Sequence, residues 1–286
     1  MSLRDRKLSG DTGAAVAPAY RGMPSTGTPP GANRGRGLGE RLGQTDRRDA
    51  WWFLPMLQAA GLLVLIGYAN YAAILGAAHY HFVESGRDYL SPFYSPYLGG
   101  VSWRPAWLSP ALLVLIFPLG FRATCYYYRK AYYRSFFLDP MGCAVGEGRK
   151  GYSGETKFPF VLQNLHRYFL YAALVFIVIL WLDVFHAFTF DGRPGFAFGS
   201  LFILLSTLSI TLYTFSCHSL RHLVGGKLDC FSCAVAGGPR HKTWSFVGRL
   251  NEHHMGFAWI SLFFVCAADL YVRLCSMHVI QDVRLF

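Results

Sequence analysis

The ligand-type residues of this chain are densest at 213–226, which reads YTFSCHSLRHLVGG. Cys217, His218 and His222 supply thiol and imidazole groups, the ligands that bind soft and borderline metals. His218 and His222 are four residues apart and would share one face of a helix, which the double glycine at 225–226 is expected to end. Because a long apolar run precedes the segment, the pattern predicts one wall of a redox site at a membrane surface.

Other thiol and imidazole groups fall at the ends of other apolar runs, at a similar expected depth. Ionisable groups inside a membrane are costly and tend to face the bundle interior. The candidate cofactor-binding residues are Cys125, His166, Cys217, His218, His222 and His254.

Two redox chemistries suit these residues. Two imidazoles from different helices can hold haem b, whereas two thiolates and two imidazoles can hold a Rieske-type [2Fe–2S] cluster. For the cluster, the predicted metal ligands are Cys125, Cys217, His222 and His254. The C-x-H and C-x-x-H spacing of soluble Rieske proteins is absent, so both cofactors remain open at this point.

The elements that must position these groups are membrane-spanning helices. Of the 286 residues, 53% are hydrophobic and only 15% are charged, against roughly 25% charged in soluble domains. Several apolar runs reach the ~20 residues that cross a bilayer as a helix. The sequence predicts an all-α integral membrane bundle over 49–278, with five spans at about 51–78, 107–134, 158–188, 196–224 and 243–274.

The distribution of charge predicts the orientation of the bundle. Residues 1–48 are basic and rich in Gly and Pro, which predicts a disordered tail. The loop between the second and third spans and the loop between the fourth and fifth spans are also basic. The positive-inside rule therefore places these loops and the N-terminus on the cytoplasmic side of the membrane. The net charge of +11 is therefore attributed to residues that flank spans, and no nucleic-acid partner is predicted.

Several further residues carry more specific expectations. Asp269 and Arg273 are four apart and are expected to form an ion pair. Cys230 and Cys233 are expected to be reduced thiols of a cytoplasmic loop. An aromatic and basic stretch beyond the second span could hydrogen-bond a quinone or contact a soluble partner, and its candidate quinone-binding residues are Tyr126, Arg129 and Tyr133.

Four segments resemble the membrane anchor (cytochrome b-type) subunit of actinobacterial-type succinate dehydrogenase or fumarate reductase, respiratory complex II. They occur in the same order as in that family and cover essentially all spans. The segments are RATCYYYRKAYYRSFF (122–137), GETKFPFVLQNLHRYFLYAAL (154–174), YTFSCHSLRH (213–222) and GRLNEHHMGFAWISL (248–262).

The resemblance implies a multi-pass protein of the cytoplasmic membrane that relays electrons from succinate to menaquinone or ubiquinone. Its implied partners are a flavoprotein subunit and an iron–sulfur subunit on the cytoplasmic face, and no independent activity is expected of the anchor. The implied cofactor is a Rieske-type [2Fe–2S] cluster or haem b. The chain departs from the SCHSCRH motif of the family at Leu220, which removes one thiol.

Two other classes of protein remain possible from the sequence. One is the cytochrome b-type subunit of another quinone-linked dehydrogenase, which would differ in its soluble partner. The other is a non-redox membrane anchor or transporter, which would have no visible chromophore and no paramagnetic signal.

Overall fold

The computed structural model describes residues 42–76, 78–98, 105, 108–138, 141–147, 156–158 and 160–286. Its helices are α1 (Phe53–Ile74), α2 (Pro110–Ala123), α3 (Tyr126–Tyr132), α4 (His166–Ala187), α5 (Phe198–Phe215), α6 (His218–Arg221), α7 (Gly237–Glu252) and α8 (His254–Ser276). A 3₁₀ segment (Phe160–Leu165) leads into α4, and single π-helical turns (Tyr133–Phe137 and His222–Gly226) follow α3 and α6.

Among the described residues, four helical segments are long and apolar enough to cross a membrane: α1, α4 with its 3₁₀ turn, α5 and α8. Helices α2 and α3 form a fifth span if they are counted together, although they bend by 81° where they meet. This confirms the predicted all-α bundle. Helices α2 and α5 end beside the basic loops, and α4 and α8 begin there, so we call this end of the bundle the basic end. The opposite end carries two β-hairpins, described below, and we call it the hairpin end.

The predicted spans were too long at the basic end, because three helices break there. The apolar pattern continues past 124, but Thr124 ends α2 and Cys125 is extended (φ −67°, ψ 130°). In the same way α5 ends at Phe215 instead of continuing to 224, and Cys217 is extended. The fifth predicted span divides into α7 and α8 at His253.

Small side chains allow the central helices to pack closely. α5 makes its most extensive contact with α8 and also packs on α4. The faces that meet carry buried residues such as Ser200, Ser206, Ala258, Ser261 and Ala268. Small residues let helix backbones approach in a membrane, where hydrophobic attraction between helices is weak.

Two antiparallel hairpins cover the opposite end. Strands β1 (His81–Glu84) and β2 (Arg87–Leu90) form the first, and β3 (Thr189–Phe190) and β4 (Arg193–Pro194) form the second. Each has a two-residue turn ending in glycine at positive φ, as two-residue hairpins require. Beneath them the predicted Asp269–Arg273 ion pair is confirmed at 2.7 Å.

Residues 42–48, which belong to the predicted tail, make specific contacts with the rest of the chain. Gly43 and Gln44 exchange backbone hydrogen bonds with Gly146, and the Arg47 guanidinium donates to the Cys143 carbonyl at 2.9 Å. These contacts attach residues 42–48 to the loop after α3. The remainder of the predicted tail, 1–41, lies outside the described residues.

Cys230 and Cys233 form a disulfide, so the expectation of reduced loop thiols was wrong for this pair. The turn between them brings the two Cα atoms to 5.4 Å, which is within the range that a disulfide can bridge.

Candidate functional site

The site is built from two helix breaks that share a sequence pattern. An aromatic residue, two further residues, a hydroxyl residue and a cysteine occur in FRATC (121–125) and again in YTFSC (213–217). In each copy the helix ends at the hydroxyl residue, and the extended cysteine precedes the next helix. We call these the first and second junctions. Their cysteines, Cys125 and Cys217, are buried in one core cluster.

His166, at the start of α4, joins the two junctions from one side. Its Nδ1 atom lies 3.0 Å from the hydroxyl oxygen of Thr124, and its ring stacks on Phe121 at 4.6 Å between centroids. Both contacts belong to the first junction. Its Nε2 atom instead faces the second junction, 3.1 Å from the Cys217 sulfur.

His254, at the start of α8, makes the reciprocal connection. Its Nδ1 atom lies 2.7 Å from the hydroxyl oxygen of Ser216, and its ring stacks on Tyr213 at 5.0 Å. Its Nε2 atom faces the first junction, 3.4 Å from the Cys125 sulfur. Each histidine is thus held by one junction and faces the thiol of the other, which closes a ring of two thiols and two imidazoles.

The structure brings together four of the six predicted cofactor-binding residues and leaves two outside. His218 and His222 follow the break at Cys217, and their side chains are exposed. His222 belonged to the predicted ligand set, but its Nδ1 atom lies 3.4 Å from Arg167 Nη2. His166 occupies the place in the cluster that was predicted for His222.

The four side chains of the ring make two separate cysteine–histidine contacts. They do not converge on one point as the ligands of a single metal ion would. Within the part of the chain that the structure describes, no group of three or more His, Cys, Asp or Glu side chains could hold one metal ion. The two sulfurs differ in one respect: Cys217 accepts a hydrogen bond from the Ser219 backbone N–H at 3.3 Å, whereas Cys125 makes no such capping bond.

A cavity of about 470 Å³ adjoins the site. Phe121 and Tyr213 line it, and these are the rings on which His166 and His254 stack. The walls are mostly apolar, and Arg122 is the charged residue among the described lining residues. Its Nη1 atom donates to the Tyr128 hydroxyl at 2.5 Å.

The predicted quinone-binding residues lie elsewhere. Tyr126 is exposed, Arg129 lies over the rings of Tyr126 and Phe160, and Tyr133 packs on Phe160. None of the three is among the described residues that line the cavity. Arg122, Thr124 and Ser216 were not predicted as site residues, although the repeated pattern of FRATC and YTFSC indicates the last two.

Helices able to span a membrane, packed around a buried cluster of thiols and imidazoles, define an integral membrane protein. The model of the actinobacterial succinate dehydrogenase subunit SdhC matches residues 53–278. The chain belongs to this family and is a membrane subunit of a succinate dehydrogenase, which confirms the resemblance noted from its four segments.

The chain is also similar to a solved structure described as the Mycobacterium smegmatis Sdh1 complex in the apo form. The two are 38% identical with a TM-score of 0.75, over 85% of this chain and 94% of the other. The comparison with curated proteins finds no match.

Proposed function

We propose that this subunit relays electrons from the iron–sulfur subunit of succinate dehydrogenase to a quinone in the membrane. The closed ring of Cys125, His166, Cys217 and His254 carries this proposal, since a purely structural anchor has no need for it. The flavoprotein and iron–sulfur subunits would bind at the basic end, where the ring lies. The physiological quinone would be menaquinone or ubiquinone.

The donor atoms of the ring fit a Rieske-type [2Fe–2S] cluster. Such a cluster takes two thiolates and two imidazoles, two ligands for each iron, and the ring supplies that number and type of ligand. A single ion would need three or four ligands together, and the described residues provide no such group. When bound, the cluster would accept and donate one electron at a time, and hydrogen bonds to its sulfurs would tune its potential.

The contacts of the histidines favour this cluster over haem b. A bis-His haem needs two imidazoles that face each other with the porphyrin between them. Here each Nε2 atom faces a sulfur at 3.1 or 3.4 Å, and one face of each ring is covered by an aromatic side chain. At the hairpin end, His81 pairs with Asp88 and His186 is exposed.

Electron relay is tested by separating the two half-reactions of the complex. We expect His254→Ala to abolish quinone reduction while succinate oxidation with an artificial acceptor continues, because only the relay is removed. His222→Ala is the matched control, since this histidine also lies at the basic end of the bundle but does not belong to the ring. Equal activity of the two variants with quinone, in assembled complexes, would contradict the relay.

The cavity is the proposed site of the quinone ring. Its volume is within the range of about 300–1,000 Å³ that is usual for small-molecule sites. The Arg122 guanidinium can donate to a quinone carbonyl, and the apolar walls suit an isoprenoid tail. Through Phe121 and Tyr213 the cavity adjoins both histidines, which provides a short path for electrons.

The position of the quinone is tested with two arginine variants. Loss of a hydrogen bond to a charged group costs about 1.5–3 kcal/mol, so Arg122→Leu should raise the KM for quinone at least about tenfold. Arg129→Leu, outside the cavity, should change the KM by less than about twofold. The opposite ranking would move the quinone to the surface around α3.

A further inference from the structure

The hydroxyl groups that precede the two cysteines have no role in the function proposed above. We infer that Thr124 and Ser216 are positioning residues, which hold His166 and His254 as Nδ1–H tautomers and direct both Nε2 atoms toward the thiols as the ligand atoms. The tautomer follows from the geometry alone, and the ligation rests on the proposed function.

The first junction fixes the proton on His166. The Thr124 hydroxyl lies 2.7 Å from the Gly120 carbonyl oxygen. A carbonyl can only accept, so the single hydroxyl proton is used there. The contact of 3.0 Å between the hydroxyl oxygen and Nδ1 then requires Nδ1 to be the donor. A neutral imidazole with Nδ1–H has its lone pair on Nε2.

The second junction repeats this arrangement on His254. The Ser216 hydroxyl lies 2.9 Å from the Tyr213 carbonyl oxygen and donates to it. Its oxygen, 2.7 Å from Nδ1, therefore accepts the imidazole proton. Two separate junctions reach the same result with a threonine and a serine, one bonded to the fourth preceding carbonyl and the other to the third.

The two Nε2 lone pairs consequently face sulfur. In the metal-free chain, the thiols of Cys217 and Cys125 donate to them across 3.1 and 3.4 Å. Binding of a metal centre would release the thiol protons, and Nε2 would then be the nitrogen that faces the metal. Hydrogen bonds to the second ring nitrogen orient metal-binding histidines in this way, and their loss typically weakens metal binding by about 10–100-fold.

The ring predicts a crossed effect of each hydroxyl. Ser216 is next to Cys217, but it positions the imidazole that faces Cys125. Thr124 is next to Cys125, but it positions the imidazole that faces Cys217. Removal of the Ser216 hydroxyl should therefore disturb the contact between His254 and Cys125. Removal of the Thr124 hydroxyl should disturb the contact between His166 and Cys217.

The tautomer is measured on the full-length chain without iron, by ¹⁵N nuclear magnetic resonance after histidine labelling. His166 and His254 are assigned by the loss of their signals in His→Gln variants. We expect a protonated Nδ1 and an unprotonated Nε2 at both histidines. Ser216→Ala should shift the His254 signals, and Ser216→Thr should restore them. An Nε2–H tautomer at either histidine in the unsubstituted chain would overturn the inference.

Ser209→Ala is the matched control for Ser216→Ala. Ser209 is also a buried serine of the α5 chain segment, and it donates to the carbonyl three residues earlier, Ser206, at 2.8 Å. Its hydroxyl positions no imidazole among the described hydrogen bonds. If Ser209→Ala shifted the His254 signals as much as Ser216→Ala, the effect would be one of helix packing, and the positioning role would be rejected.

The ligand atom is measured on the reduced, assembled complex by electron–nuclear double resonance. Separate ¹⁵N labelling of Nδ1 and Nε2 should give strong coupling from Nε2 alone. Ser216→Ala and Thr124→Val should lose iron to a chelator about 10–100-fold faster than the unsubstituted complex. Strong coupling from Nδ1 would overturn the ligation while leaving the relay intact. A complex without any cluster, but with Nδ1–H tautomers, would refute the proposed cofactor and leave the positioning of the imidazoles standing.

Discussion

The two ends of the bundle bury polar groups in opposite ways. At the hairpin end, Asp269 accepts from Tyr68 at 2.5 Å, from Arg273 at 2.7 Å and from Ser91. Arg273 in turn donates to the carbonyls of Ala72, Gly76 and Ala78 near the C-terminus of α1. At the basic end, the buried ring consists of thiols and imidazoles and contains no carboxylate.

A second carboxylate strengthens the contrast. Asp282, in the C-terminal segment, accepts from Arg87 at 3.1 Å, Tyr89 at 2.9 Å, Tyr271 at 2.8 Å and the Gly199 backbone N–H at 3.0 Å. It joins the first hairpin to α5 and α8. Asp269 and Asp282 are each paired with an arginine and accept further hydrogen bonds, so these groups stabilise the fold. Under the proposed function the ring would instead release its thiol protons when a metal centre binds, so its groups would serve binding.

Arg273→Ala should give the largest loss of stability. It leaves the fully buried Asp269 carboxylate without its cation, and removal of one partner of a buried ion pair costs about 3–5 kcal/mol. We expect a much lower thermal midpoint, or no assembled complex. Arg284→Ala, at an exposed arginine near the C-terminus, is the control. Equal midpoints for the two variants would show that the hairpin end does not hold the fold together.

Tyr89→Phe should have an intermediate effect, because it removes one of several donors to Asp282. Loss of a hydrogen bond to a charged group costs about 1.5–3 kcal/mol, less than loss of the buried ion pair. Burial raises the pKa of the Tyr89 phenol, so its contribution is complete below the ordinary value of about 10 and is lost as the pH rises above it. The variant should therefore lose less stability than the unsubstituted protein between pH 9 and about 11. An unchanged alkaline slope would contradict this.

Cys217→Ser should have the smallest effect on stability. In the iron-free chain it exchanges one small donor for another beside His166, so we expect a change of less than about 1 kcal/mol. The same variant should lose the cluster signal of the complex. Cys143→Ser, at an exposed cysteine, should change neither. A large loss of stability in iron-free Cys217→Ser would make the ring a packing element like the opposite end.

The sequence predicted the bundle because spans depend on local properties, the length and apolarity of a run. It also predicted the Asp269–Arg273 pair, since residues four apart meet on one helix. It could not place the helix ends at Thr124 and Ser216, because the apolar pattern continues through both junctions. The extended cysteines that follow depend on contacts with distant helices.

The composition of the site was predictable in part. The residue type and the expected depth in the membrane predicted Cys125, His166, Cys217 and His254 as site residues. Proximity to Cys217 along the chain also favoured His222. The turn at Cys217 excludes that residue, and the crossing of the two junctions involves four chain segments that no local pattern relates. For Cys230 and Cys233 the expected cytoplasmic location led to the wrong prediction of reduced thiols. The local geometry of the turn between them allows the disulfide.

The most direct test of the account is the electron paramagnetic resonance spectrum of the dithionite-reduced complex, recorded with its optical spectrum. We predict a Rieske-like signal, separable from the clusters of the iron–sulfur subunit and absent from Cys217→Ser, and no α-band of b-type haem. A b-type α-band that disappears in His166→Ala and His254→Ala would contradict the account. So would a spectrum in which every signal belongs to the partner subunits.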